Sequence, residues 1–215
     1  MLIFFETEGR TVIEFVDFMN RLNFESEPAK SILICSILTI LTLSSVIVIG
    51  YLIEKLEYAQ INFLSKIFGM KFALFFTNYL TIAGTVIHEY SHALFAMLSG
   101  AKVTKIRCLE IFNKERLGSV EFYMTGGKIR QKIQLSVTSC APVVMGLILE
   151  SVLIKVLIAN PDMHICFKVL VWYLIISIGD HMSMSDVDIK NYCKGLVVLA
   201  PFTFAIFYLF RQLLY

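Results

Sequence analysis

His88-Glu89-Tyr90-Ser91-His92 sets two imidazoles four residues apart, with a carboxylate next to the first. On a helix, positions i and i+4 share a face, so both rings can turn a nitrogen toward one metal ion. Glu89 lies about 100° further round the same turn. From there it can take a proton from a water at the metal while staying out of the ligand set. This is the pattern of a zinc hydrolase. Two of the chain's four histidines are spent on it.

The surroundings of that motif are unusual for a soluble enzyme. Of 215 residues, 57% are hydrophobic and 17% are charged, where a soluble domain has about 45–50% and about 25%. The chain reads as an integral membrane protein. Two histidines and a glutamate at lipid depth are costly unless something uses them, which favours a metal site over a satisfied core histidine pair. The net charge of +2 is small and the basic residues are clustered, so no nucleic acid is expected as a partner. The five cysteines include no C-x-x-C pair and suggest neither a disulfide framework nor a thiolate metal site.

A membrane span needs about 20 apolar residues. Five stretches supply them or nearly do: Ser31–Tyr51, Phe72–Leu98, Leu135–Ala159, Ile165–Gly179 and Gly195–Leu214. The expected fold is therefore an all-α polytopic membrane protein of about five transmembrane helices, one domain over residues 1–215. Residues 1–30 mix aromatics and charges at loosely helical spacing and read as an interfacial segment. Their acidic character does not suit a cleaved signal, so the first span is expected to act as an anchor. Residues 101–134 form the one sizeable polar segment. Two strand-like runs, Lys102–Phe112 and Gly118–Met124, lie within it, followed by a Gly126-Gly127 turn signal.

Lysines and arginines orient the chain. With the N-terminus inside, Arg10, Arg21, Lys30, the cations from Lys102 to Lys132, Lys190 and Lys194 all fall on the cytoplasmic side, leaving Lys55, Lys66 and Lys71 outside. His88 and His92 then lie toward the cytoplasmic end of the second span. A third ligand must share that level. Asp162 and His164 fall in the opposite loop, and Glu150 is a poorer match in depth. The stretch from Asp180 to Lys190 has the right side and an acidic cluster. Asp188 there has two readings: a carboxylate ligand, or the third helical position of a capping box with Ser185 as N-cap. Asp180 is a further candidate ligand.

Four places in the chain resemble the site-2 protease group of intramembrane zinc metalloproteases, and its small bacterial-type members in particular. They are Thr85–Leu94 with Leu98–Val103, then Leu117-Gly118-Ser119-Val120-Glu121, then Ala141-Pro142 with Gly146, and finally Ser177–Gly179 with His181-Met182-Ser183, Ser185, Asp188-Ile189-Lys190 and Gly195. The resemblance implies Zn2+ held by His88, His92 and a downstream aspartate, with Glu89 as general base. It places that aspartate at Asp188. The Asn-Pro-Asp-Gly or Leu-Asp-Gly signature of better-known members does not occur there. Its further implications are a transmembrane or membrane-associated protein substrate and a bacterial cytoplasmic membrane as location. Two other classes fit the composition: an inactive relative that binds membrane segments, and a transporter subunit whose Glu89 and histidines relay ions.

Overall fold

The computed structural model describes residues 27–108 and 118–214. The chain is mostly helical. In order it forms α1 (Glu27–Phe68), α2 (Met70–Phe75), a π-helical turn (Phe76–Leu80), α3 (Ile82–Leu98), β1 (Lys102–Arg107) and β2 (Ser119–Tyr123). Four helices follow: α4 (Lys128–Ser139), α5 (Ala141–Ala159), α6 (Ile165–His181) and α7 (Asp186–Leu214). The expected interfacial segment lies outside the described residues, apart from Glu27–Lys30, which open α1.

Among the described residues, three helical stretches are long and apolar enough to cross a membrane: Pro28–Phe68, Ala141–Ala159 and Asp186–Leu213. The pair Met70–Leu80 and Ile82–Leu98, bent by 50°, makes a fourth if it is one broken span. Helix α6, expected as a span of its own, is not among these stretches: its 17 residues lie at the lower end of the roughly 17–25 that cross a bilayer core.

Element boundaries differ from the apolar runs for local reasons. The first run was expected to end at Tyr51, with Lys55 and Lys66 in a loop. Helix α1 instead continues through both lysines to Phe68, because no glycine or proline interrupts it between Tyr51 and Gly69. Gly69, at φ 86°, makes the break. The third run, Leu135–Ala159, is divided at Cys140 between α4 and α5, with Pro142 in the first turn of α5, where a missing N–H costs nothing. Pro201 lies inside α7 without ending it.

The described chain separates into two compact units: residues up to Ser45 together with those from Leu196, and Val46–Gly195. In the first, Arg211 Nε donates to Ser31 Oγ at 2.8 Å, and Ile34 and Cys35 are buried. All of the candidate site belongs to the second.

Within that second unit, α3 is the central element. Its start is pinned to α6 by one hydroxyl: Ser177 Oγ donates to the Thr81 carbonyl and accepts from the Gly84 N–H, each at 2.7 Å. A Cβ at Gly84 would collide with the Ser177 carbonyl and lie 2.8 Å from His181 Nδ1. Only glycine allows α3 and α6 this approach. At the other end of α3, the fully buried Gln134 of α4 accepts from Thr125 N (2.8 Å) and donates to Ser99 O (3.2 Å), tying helix, hairpin and α4 together.

The strands β1 and β2 pair antiparallel, from Lys102 opposite Tyr123 to Arg107 opposite Ser119, with an irregularity between Val103 and Lys105. They occupy the two runs read as strand-like, although β1 ends at Arg107, and residues 109–117 lie outside the described residues. Gly126 takes φ 83° at the expected turn, and Gly127 precedes the first turn of α4.

Candidate metal centre

His88 and His92 lie four residues apart on α3, on one face. Their rings lie edge to face with centroids 4.8 Å apart. Each ring is held from behind by a backbone carbonyl. His88 Nδ1 lies 2.5 Å from the His181 oxygen at the end of α6, and His92 Nδ1 lies 2.8 Å from the Thr138 oxygen near the end of α4. A carbonyl can only accept, so each Nδ1 carries the proton and each neutral ring presents an Nε2 lone pair. The two Nε2 atoms face one another at 3.1 Å. Two lone pairs at that distance repel unless a cation or a proton lies between them.

Asp188 completes the cluster. One ligand atom from each of His88, His92 and Asp188 falls within 4.8 Å of the others. Asp188 Oδ2 is 3.9 Å from His92 Nε2, and their side chains are only 16% and 12% exposed. The bonds of the capping reading are also present. Ser185 N and Ser185 Oγ both donate to Asp188 Oδ2, at 3.2 and 2.6 Å, and Asp188 N donates back to Ser185 Oγ at 3.2 Å. The two readings of Asp188 are not exclusive, because the oxygen that Ser185 holds also lies 3.9 Å from His92 Nε2.

Asp180 does not join the cluster. It accepts from Gln60 Nε2 at 3.1 Å. His164 caps the start of α6, accepting from Cys166 N. Between it and the site lies the whole of α5, 19 residues or about 28 Å, so Asp162 and His164 sit at the opposite end of the bundle. Helix α6 returns from that end to His181.

Glu89 is buried, at 9% exposure. Gly118, just before β2, packs against it: a Cβ there would lie 2.5 Å from Glu89 Cγ and 2.9 Å from Oε1. A cavity of about 420 Å³ opens beside these groups, lined by His88, Glu89, His92 and Asp188 on one side and by Gly118, Ser119, Val120 and Phe122 on another. Asn191, one turn after Asp188, also lines it.

The donor set suits a metal of the zinc class: two imidazole nitrogens and a carboxylate oxygen, with both second ring nitrogens fixed by carbonyls as metal-bound histidines usually are. Thr138 Oγ1, on the residue that holds His92, is buried without a hydrogen-bond partner among the described residues. Thiolates are not part of the set. All five cysteines are free. Burial, and then the Glu89 carboxylate, push the Cys108 thiol up; burial pushes Cys140 up to about 11. Both stay protonated near neutral pH.

The sequence reading missed the two carbonyls and Gly118's packing on Glu89. Backbone acceptors leave no mark on residue type, and Gly118 stood out only as part of Leu117–Glu121. No family model, curated protein or solved structure matches the chain.

Proposed function

We propose that the chain is an intramembrane zinc metallopeptidase of the site-2 protease kind, hydrolysing peptide bonds of membrane-associated proteins. The observation that carries this reading is the pair of carbonyl-locked imidazoles whose Nε2 atoms converge with Asp188 next to a buried glutamate. Zn2+ held by His88, His92 and Asp188 would polarise a scissile carbonyl and lower the pKa of its water toward neutrality. Glu89 takes the proton from the attacking water and returns it to the leaving amine. The attacking water and an extended peptide would enter by the cavity that Glu89 lines.

Strand β2 lines that cavity and has only β1 as a strand neighbour among the described residues. An extended substrate backbone pairs with such an edge, which suits a helical substrate that must unwind to expose its carbonyls. Helix α6 counts as a fifth, short crossing in this reading, since it returns from the far end of α5 to the level of the site. In this reading the excess of lysine and arginine among residues 102–132 favours a cavity on the cytoplasmic side, and the resemblance implies a bacterial cytoplasmic membrane.

An ion relay through the histidines fits less well. A relay passes a proton in at one ring nitrogen and out at the other, and here both Nδ1 atoms are committed to carbonyls. The test is Glu89→Gln in nanodiscs, with a library of single-span substrates and zinc measured on the same sample. Retained zinc with lost cleavage is expected. Cleavage at the wild-type rate would refute the role of Glu89, and no cleavage by wild type of any substrate would refute the activity.

A further inference from the structure

We infer that Ser185 is the positioning residue of the third metal ligand, so that the first turn of α7 and the metal site form one cooperative unit. The inference rests on the metal reading above. The turn from Met182 to Ser185 joins α6, which supplies the carbonyl behind His88, to α7, which supplies Asp188. It is held from both sides. Met184 is 1% exposed and Met182 8%. A Cβ at Gly50 would lie 2.9 Å from Met184 Cγ, and one at Gly146 would lie 2.7 Å from Met182 Cβ, so each methionine seats on a glycine of a neighbouring helix.

The seated turn delivers Ser185 to one spot. There two donors from a single residue, its N–H and its hydroxyl, converge on Asp188 Oδ2. An aspartate has two side-chain torsions, and in solvent its carboxylate samples several orientations. Two donors on one oxygen select one of them, the one that brings Oδ2 to 3.9 Å from His92 Nε2. The reciprocal bond from Asp188 N to Ser185 Oγ orients that hydroxyl, so its proton has the carboxylate as its acceptor. An ordinary helix cap needs only this last bond. The hydroxyl-to-carboxylate bond at 2.6 Å adds the link between cap and ligand.

The roles of cap and positioner separate by substitution. Glycine is nearly as good an N-cap as serine but brings no hydroxyl, whereas threonine keeps both. The full-length protein in detergent is stripped of metal and titrated with zinc against a chromophoric chelator, and the thermal midpoint of each metal-free variant is recorded. Ser185→Gly is expected to weaken zinc binding about 10–100-fold, the usual loss when a group behind a ligand is removed, with its metal-free midpoint unchanged. Ser185→Thr is expected to bind as wild type does. Should the glycine variant fail to fold, Ser185→Ala, titrated below its own midpoint, takes its place with the same expected loss. Wild-type zinc affinity in a variant without the hydroxyl overturns the inference, as does equal loss in the threonine variant. A wild-type chain that takes up no zinc overturns the metal reading itself, and this inference with it.

Discussion

Adding one methyl group at Gly118 should separate metal binding from catalysis. The new Cβ would lie 2.5 Å from Glu89 Cγ and 2.9 Å from both Cδ and Oε1. Carbon atoms rest at about 3.5 Å or more, so strand and glutamate must part by about 1 Å. Glu89 is the side chain that has to give, and at 9% exposure it has little room on its own helix. A displacement of about 1 Å in a reacting group can cost on the order of 10²-fold in rate. His88, His92 and Asp188 stay where α6, α4 and Ser185 hold them. Gly118→Ala should therefore keep its zinc while its single-turnover cleavage rate falls roughly 100-fold, a loss of about 2.7 kcal/mol in transition-state stabilisation. The assay is single-turnover cleavage of a single-span substrate in nanodiscs, with zinc quantified on the same preparation. Cleavage within about twofold of wild type, or a rate loss matched by an equal loss of zinc, would refute the packing of β2 on Glu89 as the cause.

Three further outcomes follow from other contacts. Gly84→Ala drives a Cβ into the Ser177 carbonyl and toward His181; overpacking of this kind costs about 1–3 kcal/mol. Both the thermal midpoint in detergent and the zinc affinity should fall, because the His88 carbonyl partner moves with α6; an unchanged midpoint would contradict the close α3–α6 contact. Glu89→Gln should speed alkylation of Cys108 at pH 8. Burial remains as the larger cause of its raised pKa, but loss of the neighbouring negative charge lowers the pKa and increases the thiolate fraction. Equal alkylation rates in wild type and variant would place the thiol out of range of Glu89. Asp180→Asn should leave zinc affinity unchanged, since Asp180 pairs with Gln60 outside the cluster; loss of zinc in this variant would move the third ligand from Asp188.

Much of the site was legible in residue types because helical periodicity alone puts His88, His92 and Glu89 on adjoining positions of one turn. Asp188 was legible only as a choice between cap and ligand. Sequence treats these as rivals, whereas in space one oxygen lies near both Ser185 and His92. The ends of the spans were less legible, for physical reasons. Apolar runs end where charges begin, at Glu54 and Lys55, but helices end where backbone geometry fails, at Gly69. In the same way, a continuous apolar run hides the junction at Cys140 that brings the Thr138 carbonyl to His92. The strands were legible from their β-branched and aromatic residues, but that Gly118 would meet Glu89 depends on how the hairpin folds back over α3.

Zinc-edge X-ray absorption on the purified protein decides whether two imidazoles and a carboxylate hold a zinc ion here. About one zinc per chain is expected, with nitrogen and oxygen neighbours at about 2.0–2.2 Å, two of them imidazoles. His92→Ala should remove one imidazole or the metal altogether. A sulfur neighbour near 2.3 Å, or a wild-type protein that holds no zinc, would contradict that ligand set.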